Sequence, residues 1–274
     1  MTYYLNHLIR NERWDDLIRY HAKHERYSAY NNICLNYALA KKGELGNKMF
    51  CFYQQGLSGL IPQADKKYLT NMQLSDIFIA TGCPNVAESY LLEELTTARR
   101  YSNPRVLKNL IRISEMKGEF DLANKYLDIM SKAPMYADWS KKEKAEMNSG
   151  KVITYNVDSL LSTTGIESLF KNSIEIGNRT AWEYLGASYL LGKENDRFCS
   201  FIKEETPSSY LANLPTHFQE ALLIFCGENN IPEGVDINAD IKNRYKKFRE
   251  LFEKKDMSTI YRDYKDTYWN YAIN

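Results

Sequence analysis

Between Asn103 and Pro134 the apolar residues fall on two successive helical stripes. Val106, Leu107, Leu110, Ile111 and Ile113 recur at helical spacing behind Asn103 as N-cap and Pro104 at the first helical position. Gly118 ends that run. Phe120, Ala123, Leu127 and Met130 then mark the apolar face of a second helix, which Pro134 closes. Glycines recur at the interval of such a hairpin: Gly43, Gly82, Gly118, Gly150, Gly192 and Gly227 lie 39, 36, 32, 42 and 35 residues apart. Glycine suits a tight turn between helices because it adopts positive φ without steric cost. The sequence flanking each rung reads as helix, so the pattern predicts an all-α chain of helical hairpins.

A glycine-acidic-aromatic turn, an alanine three residues on, a large apolar residue four further and a closing proline resemble the tetratricopeptide repeat. In AWEYLGASYLLG, Trp182, Leu185, Gly186 and Tyr189 stand at the spacing of the Trp, Leu, Gly and Tyr in that repeat's first helix. Leu74, Ser75 and Phe78 before Gly82, with Ala87 and Leu91 after it, form another copy within residues 68–99. Residues 29–55 and 213–231 fit more loosely, with Asn36 where a small residue is expected, and RWDDLIRYH reads as the second helix of a hairpin through Trp14 and Leu17. The resemblance implies a TPR-like α-solenoid, an α–α superhelix of about seven degenerate hairpins whose first helices line a concave groove.

Three stretches interrupt the pattern. GLSGLIP (56–62) and SSYLANLP (208–215) carry turn residues, while 136–165 opens as a charged helix and loses periodicity by VITYNVDS. The expected organisation is N-terminal repeats over 1–135, an irregular helical connection over 136–165, and C-terminal repeats over 166–274. Two charged, tyrosine-rich amphipathic helices from Asn238 to Asn274 are expected to cap the end of one continuous solenoid.

Composition narrows the partners. With 44% apolar residues there is material for a sizeable core, and 36 Lys+Arg against 35 Asp+Glu leave a net charge of +1. A general nucleic-acid binder needs a cationic excess to neutralise phosphates, so DNA and RNA are not expected. The opening MTYYLNHLIRNERW lacks the basic-then-apolar order of a signal peptide, and no apolar run spans a bilayer, so the chain reads as soluble. Cys34, Cys51, Cys83, Cys199 and Cys226 are odd in number, dispersed and mostly set in apolar helical sequence. They read as reduced, buried thiols, which favours the cytoplasm, with the periplasmic face of a membrane protein as the alternative.

Few residues offer chemistry. Asp236, Asn238 and Asp240 begin an EF-hand pattern, but Ile241 replaces its glycine and Lys247 its last carboxylate. His21 and His24 share a helix face that reads as solvated, and Asn178-Arg179-Thr180 is a glycosylation sequon by pattern only. No Walker loop, HExxH, GxSxG or GxGxxG occurs, so neither cofactor nor metal nor enzymatic activity is expected. Arg105, Lys108 and Arg112 share one face of the helix expected to line the groove, a basic stripe suited to an acidic peptide or a C-terminal carboxylate. A solvated face balanced by Glu115 is the competing reading. His217 and Glu220 form a secondary candidate: three residues apart on a helix opened by Pro215, their side chains can meet. A structural hydrogen bond is favoured there over acid–base work.

Taken together, RWDDLI, LNYALAKKGELGNKMFCFYQQG, AWEYLGASYLLGK and LPTHFQEALL are similar to an uncharacterised bacterial family, DUF6057, typical of Bacteroidetes, over nearly the whole chain. Members of that family commonly carry several transmembrane helices ahead of such a helical region, and the resemblance implies no known activity. The expected function is a protein-interaction or scaffold module, read as the soluble part of a membrane-associated protein. The alternative is the accessory helical domain of a multi-pass membrane enzyme such as an envelope glycosyltransferase.

Overall fold

The computed structural model describes all residues except 1, 25–27, 66, 98–102, 150–164 and 228–229. Every regular element among them is helical. In chain order α1 (Thr2–Arg10), α2 (Trp14–Lys23), α3 (Ala29–Lys41) and α4 (Leu45–Lys48) lead into two short 3₁₀ turns, Met49–Cys51 and Gly56–Gly59. There follow α5 (Tyr68–Ala80), α6 (Pro84–Thr97), α7 (Pro104–Met116), α8 (Phe120–Ser131), α9 (Pro134–Asn148) and α10 (Ile166–Glu175). The remainder comprises α11 (Arg179–Leu191), α12 (Asn195–Ser200), a π-turn at Phe201–Glu205, α13 (Ser208–Leu211), α14 (Thr216–Phe225), α15 (Ala239–Glu253), α16 (Met257–Asp263) and α17 (Tyr268–Ile273). No helix among the described residues is long and apolar enough to cross a membrane.

One turn recurs along the chain. At Gly118 (φ 72°) the N–H bonds back to the Glu115 carbonyl while the Glu119 N–H reaches the Ser114 carbonyl, which is the Schellman closure of a helix C-terminus. The same bond pair closes helices at Glu12, Gly43, Gly82, Gly177, Lys193 and Lys255, each with positive φ. The glycine ladder therefore marks real turns at Gly43, Gly82 and Gly118. At Gly192 the left-handed residue is instead the next one, Lys193 (φ 54°), and Gly150 lies outside the described residues.

The chain divides into two compact units, Met1–Pro62 with Arg179–Asn274, and Gln63–Asn178. Within Gln63–Asn178, α5 pairs with α6, α7 with α8 and α8 with α9, while α7 also touches both α5 and α6. Asn103 caps α7 as expected, its side chain accepting the Arg105 N–H, and Pro104 takes the first helical position. Leu107, Ile111, Ala123, Leu127, Met130 and Met147 form one buried cluster under Tyr126, Tyr136 and Trp139. The chain then turns back: Phe170 of α10 packs on Phe78 of α5, and the Ser173 hydroxyl donates to the Gly82 carbonyl. The helix after the interruption thus sits on the first hairpin of this unit.

In the other unit the N-terminal helices meet the C-terminal ones, α3 and α4 touching α11 and α4 also touching α14. Phe218 of α14 rests on Gly186 of α11, where an added Cβ would come within 2.4 Å of its ring. Asn36, buried on α3, donates to the Gln54 side chain at 2.9 Å and to the Gly59 carbonyl at 3.0 Å. Asn32 donates to the Tyr53 carbonyl and accepts the Gln55 N–H, so buried amides on α3 hold the irregular 49–59 segment. The C-terminal stretch forms three helices, not two, and its last is core: Tyr268 and Trp269 are fully buried.

Candidate functional site

The basic stripe lies on α7, and internal partners hold two of its members. Arg105 pairs with Asp76 of α5 at 2.6 Å, and Asn109 donates to the other oxygen of the same carboxylate at 2.9 Å. Both partners of the ion pair are largely buried, so the guanidinium locks α7 to α5. Lys108 sits over the Trp139 ring, 4.1 Å from its centroid, and 5.5 Å from that of Tyr136, both on α9. Arg112 is exposed. Burial pushes the Glu115 carboxyl up to about 7, with Glu143 and Glu146 of α9 adding to the rise and Arg112 opposing it. The face shared by α7 and α9 thus carries Lys108 over half-buried Tyr136 and Trp139, with exposed Arg112 one turn on beside the carboxyls of Glu115 and Glu143. Trp139 and Tyr136 escaped the sequence reading, although a tryptophan in an otherwise charged helix was the available signal.

His217 and Glu220 meet on α14, as their spacing predicts. His217 Nδ1 lies 2.9 Å from Glu220 Oε2, and both residues are buried. The same Oε2 accepts the Tyr268 N–H at 2.7 Å, and the Trp269 indole N–H donates to the Glu220 carbonyl at 2.8 Å. On the far side of the ring the Phe50 N–H points at Nε2, 3.3 Å away. Burial disfavours the charged imidazole, whereas Cys51 and Glu220 favour it. A fixed backbone donor aimed at Nε2 requires a lone pair there, however, and we read the ring as the Nδ1–H form. The pair fastens the 49–51 turn and α17 to α14, a positioning role for which the burial of its members is the reason.

Other candidates resolve locally. His21 is buried with Nδ1 against the Leu17 carbonyl, contrary to the solvated face expected for it, whereas His24 is exposed and stacked on Tyr20. Asn178 donates its side-chain amide to the Ala80 carbonyl. Asn238 serves as N-cap of α15 beside an open polar groove of about 510 Å³ lined in part by Asn47, Arg179, Thr216 and Gln219. The cysteine expectation needs correction: Cys34 and Cys83 are buried, but Cys51 is exposed, and Cys199 and Cys226 are half-buried and in contact.

A family model described as a family of unknown function, DUF6057, matches residues 1–273. The chain belongs to this family. No curated protein and no solved structure matches it.

Proposed function

We propose that this DUF6057 chain is a protein-interaction module in which α7 and α9 form the docking face for an acidic segment of a partner protein. The observation that carries the reading is Lys108 set over the partly exposed Trp139 and Tyr136 rings, with exposed Arg112 one turn further along α7 and interacting with Glu143 of α9. Aromatic rings and arginine dominate binding hot spots because they combine large contact area with directional polar groups. Here the cation–π contact holds Lys108 flat on the indole, which leaves Arg112 as the guanidinium to grip a carboxylate while the ring edges meet apolar neighbours. The contact of α5 with α7, in addition to the hairpin contacts, supports a tetratricopeptide-like stacking of first helices in Gln63–Asn178. The recurrent Schellman turn supports a repeated hairpin as the building block.

The test is affinity capture from a lysate of the source organism, with wild type and the double variant Lys108→Glu, Arg112→Glu, read by mass spectrometry. The expected result is a set of proteins retained by the wild type alone, whose binding to purified protein weakens as salt rises, since exposed charges are screened within about 8 Å at physiological ionic strength. A double variant that stays helical and keeps every captured protein contradicts the proposal.

A further inference from the structure

Cys199, in α12, and Cys226, which caps the C-terminus of α14, lie 27 positions apart in sequence. Their Sγ atoms are 2.8 Å apart, about 0.8 Å beyond the covalent sulfur–sulfur length of about 2.05 Å. The helices that carry them are held together independently, because Phe198, the neighbour of Cys199, packs edge-on against Phe218 of α14 at 5.3 Å between ring centroids. The sulfurs are therefore placed by core packing and need no large movement to meet. Both cysteines are half-buried, within reach of a small reagent, whereas Cys34 and Cys83 are buried. Cys51 is exposed, and its thiol lies toward the Asp266 carbonyl at 3.9 Å.

We propose that Cys199 and Cys226 form a dithiol–disulfide site that a low-molecular-mass disulfide such as oxidised glutathione converts to an intramolecular cystine tying α12 to the end of α14. The Cys226 thiolate attacks one sulfur of the small disulfide and expels the first small thiolate, leaving a mixed disulfide. Cys199 then loses its proton to solvent and attacks the Cys226 sulfur, and the second small thiol leaves. Two protein thiols are oxidised and one small disulfide is reduced to two thiols. The contact favours this order: the neighbouring Cys199 S–H lowers the Cys226 thiol, while the same contact and burial push the Cys199 thiol up.

The experiment incubates the purified full chain with excess oxidised glutathione, blocks remaining thiols, and maps disulfides in a non-reducing digest. The expected product is a single Cys199–Cys226 cross-link, a mass loss of about 2 Da, and a melting temperature above that of the reduced protein. All three should vanish in Cys199→Ser and in Cys226→Ser. The map on wild type needs no variant to fold, so it decides alone. Five remaining thiols, glutathione retained on Cys226 without ring closure, or a cross-link through Cys51 would each overturn the assignment.

Discussion

Gly186 is held to its identity by a neighbour. Any Cβ there would meet the Phe218 ring at 2.4 Å, and Phe218 is itself wedged against Trp182 and Phe198. Gly186→Leu should therefore overpack the α11–α14 contact and cost on the order of 1–3 kcal/mol, which denaturant unfolding would read. An unchanged midpoint would mean that the two helices do not touch there. Glu115 gives a pH signature. Its carboxyl is raised from an ordinary 4.5 to about 7, so between those values the folded chain binds more protons than the unfolded one. The stability contributed is full below about pH 4.5 and lost as pH rises through about 7. Glu115→Gln should flatten that fall, whereas a slope equal to that of wild type would remove Glu115 from the account. Gly186 was legible because a glycine inside an apolar helix has few uses other than close approach. Asp76, the partner of Arg105, was not, because nothing local ties a carboxylate on α5 to a cation 29 positions later.

Among the helices, the legible part was what repeats locally. Apolar stripes, the Asn103 cap and the glycine turns all depend on residues within one hairpin; the cap and the turns at Gly43, Gly82 and Gly118 appear where the pattern put them, whereas Phe120 of the second stripe is exposed and the turn expected at Gly192 falls on Lys193. The turns at Glu12, Lys193 and Lys255 were missed because the left-handed conformation there falls on residues that do not advertise it. That difference predicts opposite signs for opposite substitutions. Gly118→Ala should lower stability by about 1 kcal/mol, and Lys255→Gly should raise it by a smaller amount, since glycine relieves the strain but gains unfolded-state freedom. Thermal unfolding of the two variants checks both, and a stabilised Gly118→Ala would contradict the Schellman geometry.

For the chain as a whole, local pattern says least. The meeting of α3 and α4 with α11 and α14 crosses more than a hundred residues, and no periodicity encodes such a pairing. The same limit explains the C-terminal stretch: charge and tyrosines suggested a solvated cap, yet Trp269 packs against Tyr245 and Phe248 of α15 and donates to the Glu220 carbonyl of α14. Trp269→Ala should consequently cost about 3–5 kcal/mol, as for a buried aromatic, and a loss below about 1 kcal/mol would restore the cap reading. Of the candidate site, Lys108 and Arg112 were found on α7, while the α9 aromatics beneath Lys108 came only with the packing of α9 on the core it shares with α7 and α8. The docking claim is tested most directly by placing a photo-crosslinking amino acid at Arg112 and, in a separate variant, at exposed Lys125 of α8, then exposing each to the captured partner. The account predicts a covalent adduct from position 112 and none from position 125, and an adduct from position 125 alone would contradict it.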